Sequence, residues 1–456
     1  MLDYHLEPPA PADLALWSLR GLGAIDPAFV AVRAADRLEL RRDGQLLASR
    51  PSGAPLGRML SELYGAAWEA SPTLRAAGAE RLLTSGFDEL FNHLDPYSRY
   101  LSPDEARRQR ERRIGQSGLG LRVAARGENL RVTEITAGGP AARAGIRVGD
   151  RLAAVDGQEV DGRDPSRAAL LLEGPAGSSV VLRLRRGSQT RETSLRRELL
   201  VPQTVRADKR GGILWLTVSG FTVETASRLT RALNDGFATD PPRGVVLDLR
   251  GNRGGLLDAA IDLADAFLGS GEVARTEGRH PDAARRYLAG GRDLAQGRPL
   301  VVLVDGRTAS AAEIAAAALA ERGRGVVVGS ASTGKGLIQL VSALPHGGEL
   351  LVSWSRVLAP TGWPVQGLGV LPALCTSLGP EALAEGLAAL ARGEAPMQAA
   401  LTRQRAARAP LLASESAALR GTCPPAEGRP ADLQAARTLI ERHGSYGAAL
   451  MRPLPQ

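Results

Sequence analysis

The sequence is short of lysine, cysteine and aromatic residues. Of its 57 basic residues only Lys209 and Lys335 are lysines, and the others are arginine. Its two cysteines, Cys375 and Cys423, are too few for a disulfide-rich scaffold and lack the spacing of a metal site. They could form one bridge in an oxidising compartment or be unrelated. No run of about eighteen apolar residues occurs, so the sequence predicts no transmembrane helix.

The charge, the opening segment and the length of the chain limit what kind of protein it can be. The net charge of +8 could suggest nucleic-acid binding, but aromatic residues make up only 4% and arginines are interspersed with acids, which favours a solvated basic surface. The chain opens with the acidic, proline-rich MLDYHLEPPAPADLALW, which lacks the pattern of a signal peptide. A cytoplasmic protein and one whose export signal has been removed both remain open. At 456 residues the chain should hold about three domains.

The stretch TASAAEIAAAALAERGRGVVVGSASTGKGLIQ (308–339) brings one serine and one lysine within reach of each other. Its alanine-rich part, 311–321, predicts a helix, and 324–329 predicts a short buried strand. The helix would rise about 17 Å and the strand would return about 20 Å. The turn that holds Lys335 is therefore expected beside Ser310.

These residue types suit nucleophilic catalysis. Ser310 would lie at a helix N-terminus, where free N–H groups and the helix dipole favour developing negative charge. Lysine can act as a general base once burial lowers its pKa, whereas arginine cannot lose its proton. Gln339 follows Lys335 by four positions in a turn that runs into a strand, so both side chains are expected to face the same side.

Two simpler interpretations compete with catalysis. Ser310-Ala-Ala-Glu313 matches a capping box, which alone would explain the serine. Gly329 and Lys335 have the spacing of a phosphate-binding loop, but Gly336 stands where that loop needs Ser or Thr, and a strand follows instead of a helix. A nucleotide site is therefore disfavoured.

The same stretch resembles the core of the C-terminal processing (tail-specific) serine peptidases, the S41 family. The family motif reads S-A-S-A-S-E-I and, after a helix and a strand, F-G-K-G-x-x-Q; here TASAAEI and STGKGLIQ stand in these places. The resemblance implies that Ser310 is the nucleophile, Lys335 the general base and Gln339 the residue that orients the lysine. The departures remove no catalytic atom: Thr308, Ala312 and Thr333.

A second stretch, LDLRGNRGGLL (247–257), is similar to the family's LDLRGNPGGLL. The resemblance implies that this turn supplies a backbone amide which, with the N–H of Ala311, forms the oxyanion hole. Gly255 is the first choice and Gly254 the next. Arg253 replaces the family's proline, which leaves the shape of the turn open.

Residues 114–188 resemble a PDZ domain. They begin with Gly118-Leu119-Gly120-Leu121 and continue with GPAARAGIRVGDRLAAVDGQEV. Such a loop lets backbone N–H groups converge on a chain-terminal carboxylate, while the next strand adds the bound peptide to the sheet. The GLGL loop is a weak signal by itself, and the following segment makes the match strong.

Strand–helix alternation after residue 198 predicts an α/β layer. The resemblance implies a crotonase- or ClpP-like peptidase core with an inserted PDZ domain. Segment 269–296, which is polar, is expected to be a loop or flap over the cleft. The expected domains are an N-terminal helical region with a short hairpin, the PDZ domain, the peptidase core, and C-terminal helices for docking or dimerisation: 1–110, 111–190, 191–379 and 380–456.

The implied function is a serine endopeptidase that cleaves proteins near their C-termini after the PDZ domain has captured the tail. It requires no metal and no cofactor, and its partners are the tails of protein substrates and not nucleic acid. By resemblance to the family, the location is the periplasm or cell envelope. A homo-oligomer or an adaptor bound through the terminal helices is left open.

Three alternatives are weaker. A Ser-His-Asp site lacks a G-x-S-x-G context, although His346 lies close in sequence to the predicted catalytic strand. A catalytically silent PDZ scaffold is disfavoured by the intact Ser310, Lys335 and Gln339. An acyl-thioester enzyme on the related crotonase-type fold is disfavoured by the PDZ unit, because such enzymes capture no peptide tails.

Overall fold

The computed structural model describes residues 3–451, which form two compact units. The first unit comprises the residues up to 108, residues 204–221 and the residues from 225 onward. The second comprises residues 109–203 together with 222–224. Within residues 3–451, no helix is both long and apolar enough to cross a bilayer.

Helices and a small antiparallel sheet make up the N-terminal region. Its elements, with the helix that follows it, are α1 (Pro11–Arg20), β1 (Phe29–Ala34), β2 (Arg37–Arg42), β3 (Gln45–Pro51), α2 (Leu56–Ala70), α3 (Pro72–Ala77), α4 (Ala79–Asn92), β4 (Arg99–Leu101) and α5 (Pro103–Ile114). The hairpin expected from the sequence is β2–β3, and its turn residues Asp43 and Gly44 have φ of 49° and 78°, as a type I′ turn requires. β1 extends the hairpin to three strands, in the order β1-β2-β3.

The second unit is a six-stranded antiparallel sheet with one longer helix and a separate two-stranded ladder. Its elements are β5 (Gln116–Gly118), β6 (Leu121–Arg126), β7 (Asn129–Ile135), α6 (Pro140–Arg143), β8 (Arg151–Val155), β9 (Gln158–Glu159), α7 (Pro165–Leu172), β10 (Ser179–Arg186), β11 (Gln189–Arg196) and β12 (Glu198–Leu200). The order β11-β10-β8-β7-β6, with β9 paired to β8, leaves β6 at an edge, and β12 pairs with β5. Leu130, Leu152 and Leu182 lie fully buried in its core.

The core of the first unit contains a six-stranded sheet and a five-stranded sheet, and the latter includes β4. Its elements are β13 (Val205–Arg210), β14 (Ile213–Val218), α8 (Thr225–Ala238), β15 (Gly244–Asp248), α9 (Leu257–Asp265), β16 (Gly271–Gly278), β17 (Arg285–Ala289), β18 (Leu300–Val304), α10 (Ala311–Glu321), β19 (Val326–Gly329), β20 (Leu337–Ala343), β21 (Glu349–Leu358) and β22 (Leu374–Cys375). The six-stranded sheet has the order β13-β14-β15-β18-β19-β22 and is parallel from β14 onward. Its strands are apolar along their length, as expected when both faces are covered.

The parallel sheet determines where the functional segments meet. β15 leads into the glycine turn, β18 into the loop before α10, and β19 into the loop that holds Lys335. Neighbouring parallel strands end at the same edge of a sheet, so these three connections lie side by side. The architecture agrees with the α/β peptidase core expected from the sequence.

Segment 269–296 differs from expectation. The sequence suggested a polar loop or flap, but the segment contains β16 and β17, an antiparallel pair in the sheet β17-β16-β21-β20, with β4 added on β21. The segment EVARTE alternates buried and less buried residues with period two over its second half, which suits a strand with one covered face. The high polarity of the segment concealed this alternation.

The C-terminal helices are α11 (Pro380–Ala391), α12 (Gln398–Ala406), α13 (Ala413–Gly421), α14 (Pro430–Glu441) and α15 (His443–Ala449). Leu390, Leu401 and Leu439 are buried in the same hydrophobic core as the parallel sheet. These helices therefore complete the core, and their use for docking or dimerisation stays a prediction.

A disulfide bond joins Cys375 at the end of β22 to Cys423 after α13. Both cysteines are buried, and 48 positions separate them. A link that closes a loop of this length restricts the unfolded chain, which is worth about 4 kcal/mol in the chain-entropy model and typically 2–4 kcal/mol in practice.

We expect the double variant Cys375→Ala/Cys423→Ala to lose about 2–4 kcal/mol of unfolding free energy. Urea unfolding followed by tryptophan fluorescence measures this change, because all five tryptophans lie outside residues 109–203. Wild-type protein in reductant should resemble the double variant. An unchanged midpoint on adding reductant would contradict the bond.

Candidate active site

Ser310 precedes α10 in a conformation that is unusual for a residue with a side chain. Its φ is 58° and its ψ is −123°. Such backbone conformations cost about 1–3 kcal/mol and persist where the surrounding structure enforces them. The side chain is partly exposed at the start of the helix, where N–H groups without intrahelical partners stabilise a negative charge.

The carboxylate of Glu313 joins the serine segment to the lysine segment. Glu313 is fully buried. One oxygen, Oε2, accepts from the N–H of Ser310 (2.7 Å) and of Lys335 (2.9 Å), and the other, Oε1, accepts from the N–H of Gly334 (2.6 Å) and from the Ser332 hydroxyl. Burial raises the pKa of Glu313, and these donors oppose that rise. The glutamate is therefore more than a helix cap.

Lys335 lies half-buried in the loop between β19 and β20. Its Nζ is 5.0 Å from the centre of the Tyr97 ring. Burial lowers the pKa of Lys335 and nearby Arg99 lowers it further, while Glu313 and Asp95 oppose the shift. Among residues 3–451 no hydrogen bond joins Nζ to Ser310 Oγ, as is common when no substrate is bound. A lowered pKa favours the neutral amine that a general base requires.

The turn after β15 runs against the serine. A Cβ built on Gly254 would lie 2.8 Å from Ser310 Cβ, and the φ of Gly254 is 94°, so the position requires glycine. The Gly254 N–H donates to Asn252 Oδ1 (2.8 Å). Within the described part of the chain, the N–H groups of Gly255 and Ala311 have no hydrogen-bond acceptor. Of the two glycines suggested by the sequence, Gly255 is thus the one whose N–H is available.

A second buried carboxylate holds this turn to the serine loop. Asp305 Oδ1 accepts from the N–H of Gly251 (2.9 Å) and of Thr308 (2.9 Å). The Thr308 hydroxyl donates to Leu249 O (2.9 Å). Thr308, which stands where the S41 motif has serine, therefore keeps a hydroxyl group that can donate a hydrogen bond.

The C-terminal helices support the same turn. Arg250 pairs with Asp248 (2.7 Å) and with Asp432 of α14 (3.0 Å). Asp432 also accepts from Arg429 N–H (2.7 Å) and from the Thr376 hydroxyl (2.6 Å). Although burial opposes its charge, these acids raise the pKa of Arg250. The region beyond 380 thus helps to position the glycine turn.

Comparison with known proteins decides the family. The model of peptidase family S41 matches residues 212–374, and a PDZ domain model matches residues 131–186. A carboxy-terminal-processing protease from Bartonella bacilliformis is 33% identical over 299 residues, which cover 64% of this chain and 69% of that protein. The chain belongs to peptidase family S41. It is a serine-type peptidase that carries a PDZ domain.

A second relative is matched over a smaller share of its own length. The chloroplastic carboxyl-terminal-processing peptidase 1 of Arabidopsis thaliana is 33% identical over 294 residues, or 61% of this chain and 59% of that protein. Among solved structures, the photosystem II D1 C-terminal processing protease matches 83% of this chain and 97% of its own, at 26% identity and a TM-score of 0.40.

The role of Gln339 in orienting Lys335 stays a prediction. Its side-chain amide donates to Leu337 O (3.0 Å) and Ser353 Oγ (3.4 Å), and among residues 3–451 it forms no hydrogen bond with Lys335. The pairing of β20 with β21 shifts by one residue between Ile338 and Gln339. The extra residue is Trp354 on β21, so β20 itself continues as a regular strand past Gln339.

Ser353 links Gln339 to a cluster around Asp95. Ser353 Oγ donates to Asp95 Oδ1 (2.6 Å), and His5 Nε2 bonds to Asp95 Oδ2 (3.0 Å). Although burial opposes its charge, these bonds and that from Ser98 hold the pKa of Asp95 well below its usual range. Asp95 is therefore ionised, and both of its carboxylate oxygens are hydrogen-bonded.

The histidines do not form a triad with Ser310. His346 Nε2 is 2.8 Å from the Tyr100 hydroxyl, and His93 Nε2 is 3.2 Å from Glu89. Neither ring is hydrogen-bonded to Ser310. Both have the structural environments expected of histidines outside a catalytic site.

In the PDZ unit, two carbonyl groups of the glycine loop accept hydrogen bonds. Leu119 O accepts from Ala141 N–H (2.8 Å), and Gly120 O accepts from Thr136 N–H (2.8 Å). In a trans peptide the N–H points opposite to the C=O. The N–H groups of Gly120 and Leu121 therefore point away from these partners. They lie at the start of edge strand β6, and Gly118 precedes them in the short β5–β12 ladder.

Sequence reasoning missed several residues of the site. It treated Glu313 only as a cap, and it gave no role to Asp305, Asn252 or Tyr97. Glu313 carried a local signal, its position three residues after Ser310, but its bonds to the Lys335 loop depend on tertiary contacts. No spacing rule indicates that Tyr97, which lies far from Lys335 in sequence, contacts its ammonium group.

We expect Glu313→Gln to disturb both loops. An amide nitrogen would face N–H or O–H donors, which should lower the unfolding free energy by about 1–3 kcal/mol. Misplacement of the reacting groups should lower kcat by about 10²-fold. Casein digestion and urea unfolding measure the two effects.

Glu321→Gln is the matched control. Glu321 is also buried and ends the same helix, where it pairs with Arg405 (3.2 Å). This variant should be destabilised without a comparable loss of kcat. Equal kcat losses in the two variants would contradict a positioning role for Glu313.

Proposed function

We propose that the protein is an endopeptidase that cleaves protein substrates near their C-termini, with Ser310 as nucleophile and Lys335 as general base. The single observation that carries this proposal is the shared Glu313 carboxylate. It binds the N–H groups of both residues and so fixes their segments against each other.

The proposed reaction begins with the neutral Lys335 amine. It takes the proton from Ser310 Oγ as the oxygen attacks the peptide carbonyl carbon. The resulting ammonium then gives this proton to the leaving amine as the C–N bond breaks. Lys335 next takes a proton from water, whose oxygen attacks the acyl ester, and returns it to Ser310 Oγ as the acid leaves.

The oxyanion of each tetrahedral intermediate is proposed to bind the N–H groups of Gly255 and Ala311. The absence of acceptors for these groups within residues 3–451 supports the assignment, because unpaired donors pre-aimed at developing charge are the usual means of stabilising it. The engaged N–H of Gly254 makes that residue the less suitable candidate. Gln339 is proposed to act on Lys335 only through Ser353 and Asp95.

The PDZ domain is proposed to capture the substrate tail. The loop from Gly118 to Leu121 would receive the terminal carboxylate and β6 would pair with the peptide. Capture would raise the local concentration of substrate for the peptidase unit, as linked binding modules do. The protein relatives named for carboxy-terminal processing support this substrate class.

We further propose that the protein works in an oxidising compartment such as the periplasm or cell envelope. The Cys375–Cys423 bond supports this location, because disulfides persist in such compartments and are rare in reducing ones. The alternative function, a catalytically silent PDZ scaffold, lacks a structural argument. A scaffold would need neither the strained Ser310 nor a half-buried lysine.

Casein digestion tests the catalytic proposal. Ser310→Ala and Lys335→Arg should each lower kcat by about 10⁴-fold or more, because arginine cannot lose a proton. Lys209→Arg is the matched control: this lysine is bound to Asp240 and should be dispensable. Cleavage that survives in both site variants would overturn the assignment.

The pH profile gives an independent measure of Lys335. The neutral amine is the active form, so kcat/KM should rise with pH as the lysine loses its proton. Because burial lowers the pKa of Lys335 from 10.5, the rise should be centred below that pH. Lys209→Arg should leave the profile unchanged. A rise centred at or above 10.5 would contradict the proposed base.

The PDZ assignment is tested with a short, alanine- and leucine-rich peptide that carries a photoreactive side chain and a free carboxylate, here called the peptide acid. In full-length Ser310→Ala protein it should crosslink within residues 114–188. Adding Gly120→Val should lower that yield by about tenfold, since a β-branched residue is strained at the φ of 72°.

Gly127→Val is the control for strain in the same unit. Gly127 has a φ of 61° and open space around it, but it lies in the β6–β7 turn. It should leave the yield at the loop unchanged. Equal losses in both glycine variants would contradict a specific role for Gly120.

A further inference from the structure

A cavity of about 810 Å³ lies within the first unit, beside the loop that holds Lys335. Its size falls in the range of about 300–1,000 Å³ typical of ligand pockets. Apolar side chains and two arginines contribute to its wall: Trp17, Leu337, Arg356, Pro364, Leu411 and Arg420.

Three residues that line the cavity are hydrogen-bonded to the Lys335 loop. Gln366 Oε1 accepts from Gly336 N–H (2.9 Å), Gly367 N–H donates to Gly334 O (2.9 Å), and Arg420 Nη1 donates to Ser332 O (2.6 Å). One wall of the cavity is therefore fixed to the backbone on both sides of the proposed base.

The two arginines of the cavity lack acidic partners. Arg420 donates to the carbonyl oxygens of Ser332 and Leu368 but forms no ion pair with any residue from 3 to 451. Arg356 forms neither an ion pair nor a side-chain hydrogen bond within that range, although Glu277 is its neighbour on β16. Arg324, which is also half-buried, is paired with Asp293, whereas buried Arg197 donates only to carbonyl and hydroxyl oxygens.

The acids of the cavity do not neutralise these arginines. Asp95 is occupied by His5, Ser98 and Ser353. Glu7 is exposed. Burial lowers the pKa of Arg420, and the charge of Glu313, which does not line the cavity, opposes that shift. A bound anion would supply the missing counter-charge.

We propose that this cavity binds the carboxy-terminal end of the peptide substrate, with its apolar side chains against Trp17, Leu337 and Leu411 and its terminal carboxylate on Arg356 and Arg420. Arginine suits this task because its planar fork of donors matches a carboxylate. The inference rests on the proposed peptidase function and specifies where the released tail lies.

The direction of the substrate follows from the chemistry. Lys335 protonates the leaving amine, so the residues that leave must pass the lysine. Those residues end in the substrate's own terminal carboxylate. A carboxylate-binding cavity on the Lys335 side therefore lies where the leaving fragment is expected, and its distance from Ser310 would limit the length of the tail that is removed.

Much of the cavity wall comes from outside the residues that the S41 model matches. His5 and Trp17 lie before residue 212, and Leu411 and Arg420 lie after residue 374. The cavity is therefore partly a feature of this chain's terminal segments, and it provides a specificity element in addition to the shared peptidase core.

Photo-crosslinking tests the proposal in full-length Ser310→Ala protein, with the peptide acid and its C-terminal amide as probes. The acid should crosslink to peptides that contain Trp17 or Leu411, in addition to the PDZ loop, and mass spectrometry locates each site. The amide should give about tenfold less product in the cavity, because it removes the charge-assisted bonds to the arginines.

One further variant tests the role of Arg356 in the cavity, and a second serves as its control. Arg356→Gln should lower the cavity crosslink by about tenfold and leave the PDZ crosslink unchanged. Arg206→Gln, which changes an exposed arginine on edge strand β13, should alter neither. Crosslinks confined to residues 114–188, or equal cavity yields for acid and amide, would overturn the proposal.

The failure of this proposal and the failure of the peptidase proposal are distinguishable. Crosslinking requires no turnover, whereas the peptidase proposal is tested by casein digestion. A positive cavity crosslink in a chain that never cleaves casein would leave a peptide site without a peptidase. Cleavage without a cavity crosslink would leave the peptidase and remove the tail site.

Discussion

The buried carboxylate of Glu313 is the interaction on which the rest of the site depends. The start of a helix and an irregular loop both leave backbone N–H groups without partners in regular structure. Here one acceptor takes the N–H of Ser310 at the helix start and those of Gly334 and Lys335 in the loop. Burying a charge is unfavourable unless it is hydrogen-bonded. The donors that compensate this charge come from both segments, so the carboxylate is stable only when the Ser310 and Lys335 segments lie together.

Two other acids hold the neighbouring segments together in the same way as Glu313. Asp305 binds the glycine turn to the serine loop, and Asp432 binds the turn's Arg250 to the C-terminal helices. The disulfide at Cys423 and the core contacts of α11–α15 then hold these helices against the parallel sheet. Each of these acids therefore accepts hydrogen bonds from two segments of the chain and holds them together. This explains why a C-terminal region with little chemistry in its sequence still contributes to the geometry of the site.

The sequence predicted the parts of this structure that are local. Alanine-rich 311–321 forms a helix, the strand before Lys335 is short and buried, and Asp43-Gly44 turns a hairpin, because each depends on neighbours a few residues apart. The strands in segment 269–296 were missed because exposed arginines on one face outweighed the alternation. The contacts of Gln339 with Leu337 O and Ser353 Oγ depend on the pairing of β20 with β21, and its role at Lys335 stays a prediction. The roles of Glu313 and Tyr97 likewise depend on which distant loops the sheet brings together.

The two carboxylate-binding places proposed for this peptidase would impose an order on its reaction. A substrate has one terminal carboxylate, so it cannot occupy the PDZ loop and the arginine cavity at the same time. Backbone N–H groups in the PDZ loop suit a first, reversible capture that depends little on charge. The paired arginines suit the position next to the base, because an unpaired carboxylate there would raise the pKa of Lys335 and keep it protonated. Neutralised by arginine, the tail can lie beside the lysine without removing its basic form. Capture and cleavage are then successive steps, and the transfer of the tail from one place to the other commits the chain to be cut.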